Sequence, residues 1–207
     1  MLYDYIFRMI LLGQPGVWKT SLLNKLSRCA NTPIYQPTIG LDFASIETHL
    51  VNGIVIKSQV WDTAGQEYFA PIVRNYYQNI AAAIFVYDVG DPESLEGVRK
   101  WLFELRQVNN EPCKLILVGN KIDIEQRKVT EQEAKEFATK NEMKYYEVSV
   151  RKNENVYGFY YECIENIYNS IKEGETLPPG IKTTERVFPR PLTPLGSEDM
   201  AQCCQLL

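Results

Sequence analysis

The sequence predicts a doubly wound α/β domain: a mostly parallel sheet of six strands, helices on both faces, and one antiparallel hairpin. Three observations predict it. Short, almost wholly apolar runs alternate with helix-period patterns along the chain. One Asn-Gly pair, Asn52-Gly53, joins two strand-like runs, and this is the strongest short hairpin signal. The polar motifs fall just after apolar runs, at the carboxyl ends of strands, where such sheets bind their ligands.

Tyr5–Leu12 reads as a buried strand. Beyond it, Leu22, Leu23 and Leu26 share one helix face, and Asn31-Thr32-Pro33 ends that helix. The Asn31–Gly40 loop is long for a connection, and long ordered loops are usually functional or mobile. Phe43–Leu50 and Ile54–Trp61 are the hairpin strands, and a short helix with Tyr76-Tyr77 follows. Ala81–Val89 is nearly continuously apolar, as a strand covered on both faces should be. Asp91-Pro92 places a carboxylate at an N-cap and Pro at N1 of a helix whose apolar face is Leu95, Val98, Leu102 and Leu105. Lys114–Gly119 is another buried strand, and Thr130-Glu131-Gln132-Glu133 is a capping box for the next helix. Lys144–Val148 is the last strand. Val156, Tyr160, Cys163, Ile164, Ile167 and Ile171 form the stripe of the last helix.

The chain is organised around Gly13-Gln14-Pro15-Gly16-Val17-Trp18-Lys19-Thr20-Ser21. A Gly-rich turn between a buried strand and a helix N-terminus is an anion site, because loop N–H groups and the helix dipole both favour negative charge. The pattern G-x-x-x-x-G-K-[ST] adds a lysine for β/γ-phosphates and a hydroxyl for Mg²⁺. Gly13, Lys19 and Thr20 match it, but Trp18 stands where the second glycine belongs. The second hairpin strand ends in Trp61-Asp62-Thr63-Ala64-Gly65-Gln66-Glu67, which presents an acid at a strand end beside a glycine.

Composition narrows the partners. A chain of 207 residues with 45% hydrophobic residues supports one packed domain and a tail. The net charge is −4 and no basic block exceeds two residues, which argues against a nucleic-acid binder. Cys29, Cys113, Cys163, Cys203 and Cys204 are scattered and odd in number, no signal peptide is legible, and a reduced cytosolic compartment is expected. No stretch is long enough to span a membrane. The domain is read as residues 1–173. The remainder, 174–207, is read as a flexible tail because it holds five of the eleven prolines and has no periodicity.

With these motifs in hand, the chain resembles a small GTPase of the Ras superfamily, and within it a Rab. Thr-Ile-Gly-Leu-Asp-Phe (Thr38–Phe43), Trp-Asp-Thr-Ala-Gly-Gln-Glu (Trp61–Glu67) and Asn-Lys-Ile-Asp (Asn120–Asp123) carry the resemblance. It implies a P-loop GTPase domain that binds GTP or GDP with Mg²⁺. Lys19 would neutralise phosphate charge. Thr20, Thr38 and Asp62 would hold the metal, Asp62 through water. The N–H of Gly65 would sense the γ-phosphate, and Gln66 would orient the attacking water. Asp123 would accept from guanine N1 and N2, with Asn120 and Lys121 framing the ring and Ser149-Val150-Arg151 as the last guanine loop. Phe43, Trp61 and Tyr76 match the aromatic trio that Rabs present to effectors. The resemblance also implies an exchange factor, a GTPase-activating protein, a prenylation escort and a GDP-dissociation inhibitor, a monomeric state, and residence on the cytoplasmic face of an intracellular membrane with a cytosolic pool.

Five departures accompany it: Trp18, Asn31 in place of the usual stacking aromatic, Val150-Arg151 in place of Ala-Lys, Pro15 and Tyr68. A glycine at position 18 would let the backbone approach phosphates closely, and an indole must point away or occupy phosphate space. That motivates an alternative expectation, a nucleotide-poor, non-hydrolysing Rab-like membrane scaffold. The ending Cys203-Cys204-Gln205-Leu206-Leu207 resembles a double geranylgeranylation signal, and its last four residues also fit a C-a-a-X box with Leu last.

Overall fold

β1 (Tyr5–Leu12) is a central strand, and the alternation of its side chains divides the core in two. Phe7, Met9 and Leu11 face one hydrophobic cluster, while Ile10 and Leu12 face the other. The computed structural model describes residues 3–27, 41–63, 74–109, 112–173 and 180–183. In chain order the other strands are β2 (Leu41–His49), β3 (Val55–Thr63), β4 (Ala82–Asp88), β5 (Lys114–Asn120), β6 (Met143–Val148) and β7 (Ile181–Thr183). The helices are α1 (Lys19–Leu26), α2 (Pro92–Val108), α3 (Glu131–Lys140) and α4 (Val156–Lys172).

The strand order β2-β3-β1-β4-β5-β6 is that of a doubly wound sheet, with β7 joining at the side of β1. Among the described residues only the strand pairs β2/β3 and β1/β7 are antiparallel. Ala82, Ile84 and Val86 continue the first cluster under α1 and α4; Ala83, Phe85 and Tyr87 continue the second under α2 and α3. Each fully buried aliphatic or aromatic side chain of this kind contributes about 1.5–3 kcal/mol relative to exposure. Sequence reading left Phe159 and Tyr168 out of the α4 stripe, yet both are buried, and Ile171 only packs against the cluster from its edge. The wide apolar face of α4 packs into the first cluster, with Tyr168 against Tyr5 of β1 and Phe159 against Tyr146 of β6.

Local signals placed the helix starts well. Asp91 accepts the N–H of Glu93 at 3.1 Å, with Pro92 as first helical residue. At α3 the box is reciprocal: Glu133 N–H donates to Thr130 Oγ1 at 3.2 Å and Thr130 N–H to Glu133 Oε2 at 2.8 Å.

Four expectations need correction. α1 ends at Leu26, with the Ser27 N–H still bonded to the Leu23 carbonyl, well before the proposed stop at Pro33. The hairpin turn is wider than Asn52-Gly53 alone: Leu50 and Ile54 close it, and only Gly53 takes a positive φ, 79°. Tyr76 and Tyr77 lie in a turn and bend after Arg74 instead of in a helix. The sheet has a seventh strand, and it comes from the stretch read as tail.

β7 fills a gap left by stagger. β4 pairs with β1 only from Met9 onward, so the same side of β1 is open at Tyr5–Phe7, and Ile181–Thr183 pairs there. Arg8 sits at the junction: its N–H donates to the Gly180 carbonyl at 2.8 Å, and its carbonyl accepts the Ala81 N–H at 2.7 Å. Gly180 abuts the start of β4 so closely that a Cβ would lie 2.2 Å from the Ala81 nitrogen. Ile181 is buried in the first cluster.

Candidate functional site

The loop Gly13–Trp18 leaves the carboxyl end of β1 and enters α1. Gly13 has φ 147°, and a Cβ there would lie 2.3 Å from the Val86 carbonyl oxygen, so the loop is pressed against β4 where only glycine fits. Gly16 has φ 81° with nothing near its missing Cβ. Trp18 is also left-handed, φ 70° and ψ 39°, and occupies the N-cap of α1 without a capping side chain. For an aromatic residue that backbone costs about 1–3 kcal/mol. The loop conformation is therefore the one a glycine would supply, kept in spite of the indole.

Lys19 is buried, and its Nζ donates to the carbonyls of Gly13 and Gln14, each at 2.9 Å. Burial pushes its pKa down to about 8, against the pull of Asp62 in the other direction. Thr20 Oγ1 donates to Asp62 Oδ2. Asp62 is fully buried at the end of β3, opposite Leu11 of β1 and Asp42 of β2. A hydroxyl and a carboxylate brought together at a phosphate-type loop form a hard oxygen donor set. Mg²⁺ takes one or two carboxylates and completes its shell with water and substrate phosphates, so these residues fit it. Neighbouring Thr63 donates to the Leu11 carbonyl at 2.7 Å and fixes the end of β3.

At the carboxyl end of β5, Asn120 is fully buried and tied on both sides. Its Nδ2 donates to the Val17 carbonyl at 2.9 Å, and its Oδ1 accepts the Val150 N–H at 3.2 Å. Asp123 Oδ1 accepts from Ser149 Oγ at 2.6 Å, and Ser149 Oγ accepts the Lys152 N–H at 3.0 Å. The Gly-rich loop, Asn120–Asp123 and Ser149–Arg151 thus meet at one edge of the sheet. Ser21 lies within α1, Pro15 is exposed, and Arg151 is exposed while Val150 is buried. Thr38, Gly65, Gln66, Cys203 and Cys204 lie outside the described residues, as do Asn31 and Tyr68.

A model of the Ras family matches residues 8–169, the stretch that contains every one of these contacts.

The chain belongs to the Ras family.

Proteins similar to it include a yeast GTP-binding protein and several Ras-related Rab proteins. GTP-binding protein YPT1 of Saccharomyces cerevisiae is 40% identical over 172 residues, 83% of each chain. Ras-related protein Rab-30 of Homo sapiens is 41% identical over 155 residues, 74% of this chain and 76% of Rab-30. Ras-related protein Rab-4A of Danio rerio is 37% identical over 177 residues, 85% of this chain and 83% of Rab-4A. The protein is a Rab-like small GTPase, and nothing in its relatives favours the nucleotide-poor scaffold.

In this Ras-family chain, Phe43, Trp61 and Tyr76 form one continuous stack. The Phe43 and Trp61 rings are 4.8 Å apart at 50°, and the Trp61 and Tyr76 rings 4.7 Å apart at 51°. Phe43 is 43% exposed, so the stack reaches the surface across β2, β3 and the turn before β4.

Sequence reading missed two groups beside the site. Asp88, at the end of β4, accepts the Gly90 N–H at 2.8 Å through Oδ1 and pairs with Lys121 Nζ at 2.6 Å through Oδ2. Its signal was an acid closing an apolar run, the same signal that picked out Asp62. Arg127 binds both oxygens of Glu147, which also accepts from the Tyr145 hydroxyl; that hydroxyl is 3.1 Å from Tyr87. Burial works against the Glu147 carboxylate, but the bonds from Arg127 and Tyr145 outweigh it and hold its pKa below the usual carboxylate range. This chain fastens the segment after Asp123 to β6, just ahead of Ser149. A Cβ on Gly119 would lie 2.7 Å from the Tyr87 hydroxyl, which explains the glycine in the middle of that strand end.

Proposed function

We propose that this Rab-like GTPase binds GTP and GDP with Mg²⁺ at the carboxyl edge of the sheet, hydrolyses GTP, and uses the two nucleotide states to regulate intracellular vesicle transport. The observation that carries this reading is the Val17–Asn120–Val150 tie together with the Asp123–Ser149 pair. These contacts hold the Gly13–Ser21 loop and the Asp123 carboxylate at the same edge of the sheet, which supports their reading as a phosphate loop and a base-reading acid. The printed name of YPT1, a GTP-binding protein, points the same way.

Gly13 to Ser21 would surround the phosphates, with Lys19 supplying positive charge once it turns from the Gly13 and Gln14 carbonyls. Thr20, Asp62 and Thr38 would hold Mg²⁺, which when bound neutralises charge developing on the β- and γ-phosphates. Asp123, held by Ser149, would accept from the two donors of guanine, with Asn120, Lys121 and the Ser149–Arg151 loop around the ring. Gly65 would sense the γ-phosphate, and Gln66 would align the water. Hydrolysis would be slow alone and accelerated about 10³–10⁵-fold by a GTPase-activating protein that contributes an arginine. Effectors would read the nucleotide state at Phe43, Trp61 and Tyr76, and an exchange factor would reset it. Cys203 and Cys204 would carry prenyl groups handled by an escort and a GDP-dissociation inhibitor. The protein would then divide between the cytoplasmic face of an intracellular membrane and a cytosolic pool. Residues 1–173 would act as the GTPase domain, with most of 174–207 as tether.

Base choice tests the reading. GTP should outcompete ATP, and Asp123→Asn should move preference toward xanthine nucleotides, because an amide there no longer matches the two guanine donors. Equal competition by ATP and GTP in the wild-type protein would refute the site.

A further inference from the structure

We propose that Trp18 sets nucleotide affinity by acting through Lys121, an inference that rests on the nucleotide site proposed above. Two contacts and a shared backbone conformation lead to it. The Asn120 amide holds the Val17 carbonyl at 2.9 Å, which fixes the residue before Trp18 against the residue before Lys121. Both following residues then take left-handed backbone, Trp18 at φ 70° and Lys121 at φ 69°. Their side chains meet: the Lys121 ammonium lies over the indole, 5.0 Å from the ring centroid.

The indole does not swing out into solvent. It is partly buried against the cluster that contains Val17, Leu22 and Val150. Lys121 is thus engaged by two protein groups at once, the Trp18 ring and the Asp88 carboxylate at 2.6 Å. With glycine at position 18 only the carboxylate would remain. A cation over an indole face is attracted by the ring quadrupole, and more strongly where water is excluded. A nucleotide that draws Lys121 toward its own ring must break this contact. It can be favoured over the ligand-free state only by its differential affinity for the two arrangements. Trp18 is therefore a positioning residue: it stabilises the arrangement of Lys121 that competes with nucleotide, and it lowers affinity by the fraction of protein so held.

The experiment measures binding and dissociation of a fluorescent N-methylanthraniloyl GDP, with Mg²⁺, on the full chain and three variants. Trp18→Phe keeps an aromatic face, Trp18→Leu keeps bulk without one, and Trp18→Gly keeps neither. Action through Lys121 predicts that Leu and Gly both bind about tenfold more tightly than wild type and that Phe stays near it. It also predicts that adding GDP changes the fluorescence of Trp18, read as wild type minus Trp18→Phe, as the ammonium leaves the ring. If Leu binds as weakly as wild type while Gly alone tightens, the indole acts by bulk, and the proposal is overturned. If Gly matches wild type, Trp18 has no role, while the nucleotide site stands. If none of the four proteins, Trp18→Gly included, binds the probe, the nucleotide site itself is refuted and this inference with it.

Discussion

The amide of Asn120 donates to the carbonyl of Val17 across 103 residues of chain, at 2.9 Å and out of contact with water. With the Val150 N–H on its other side, one side chain joins three loops. Asn120→Ala should leave a buried carbonyl and a buried N–H without this partner, at a cost of about 1–3 kcal/mol. Thermal unfolding of the nucleotide-free protein should show Tm lower by several degrees. An unchanged Tm would mean that water replaces the amide without loss.

Burial pushes the pKa of Lys19 down to about 8. Its folded pKa lies below the ordinary 10.5, so the unfolded chain holds more protons between about 8 and 10.5, and the stability of the nucleotide-free protein should rise across that window. Phosphates beside the ammonium would favour its charged form and raise the pKa. GDP binding should then take up protons above about pH 8, and affinity should fall as pH rises further. Calorimetry in two buffers of different ionisation heat measures the uptake; equal heats at about pH 8.5 would contradict it.

β7 offers a test of the C-terminal stretch. Gly180→Ala places a Cβ against the backbone of Ile80 and Ala81, and that backbone cannot yield cheaply. The substitution should cost about 1–3 kcal/mol and lift β7 from β1. Hydrogen exchange should speed up at the Arg8 amide, which bonds the Gly180 carbonyl, and leave the amides of β5 unchanged. A still-protected Arg8 amide would show that the sheet accommodates the methyl group.

Gln66→Leu should slow single-turnover GTP hydrolysis without weakening GTP binding, since the proposed role of Gln66 is to align the attacking water through its amide, and leucine has no polar atom to do so. An unchanged rate would remove Gln66 from the mechanism.

One lipid chain gives only marginal attachment, and stable anchoring needs a second signal. From Gly174 onward Lys182, Arg186 and Arg190 face Glu175, Glu185, Glu198 and Asp199, so no polybasic stretch supplies one. Both Cys203 and Cys204 should therefore be geranylgeranylated, and Cys203→Ser should be mostly soluble. Binding of the doubly modified protein to vesicles should be nearly indifferent to salt. Mass spectrometry of the C-terminal peptide from a eukaryotic host reads the modification. A single prenyl group with Cys203→Ser fully membrane-bound would show a different anchor.

The sequence by itself determined what depends on near neighbours. The Thr130–Glu133 box and the Asp91-Pro92 start are bonds within three residues, so residue type and spacing suffice to read them. The apolar runs of β1, β4 and β5 announce strands covered on both faces because they are seven or eight residues long, too short for an ordinary buried helix, and lack the alternation of a half-exposed strand. The Gly13–Ser21 loop was legible for the same reason, as a turn between such a strand and a helix. Tertiary structure decided what depends on distant partners. Ile181–Thr183 is too short to carry a period, and it is a strand only because the stagger of β4 leaves part of β1 unpaired. Phe43, Trp61 and Tyr76 come from three segments: the pairing of β2 with β3 sets Phe43 opposite Trp61, and the turn before β4 brings Tyr76 against Trp61. The direction of the Trp18 side chain was open in the sequence between solvent and the phosphate space. It was settled by a hydrogen bond from Asn120 to Val17, which carries the indole to Lys121.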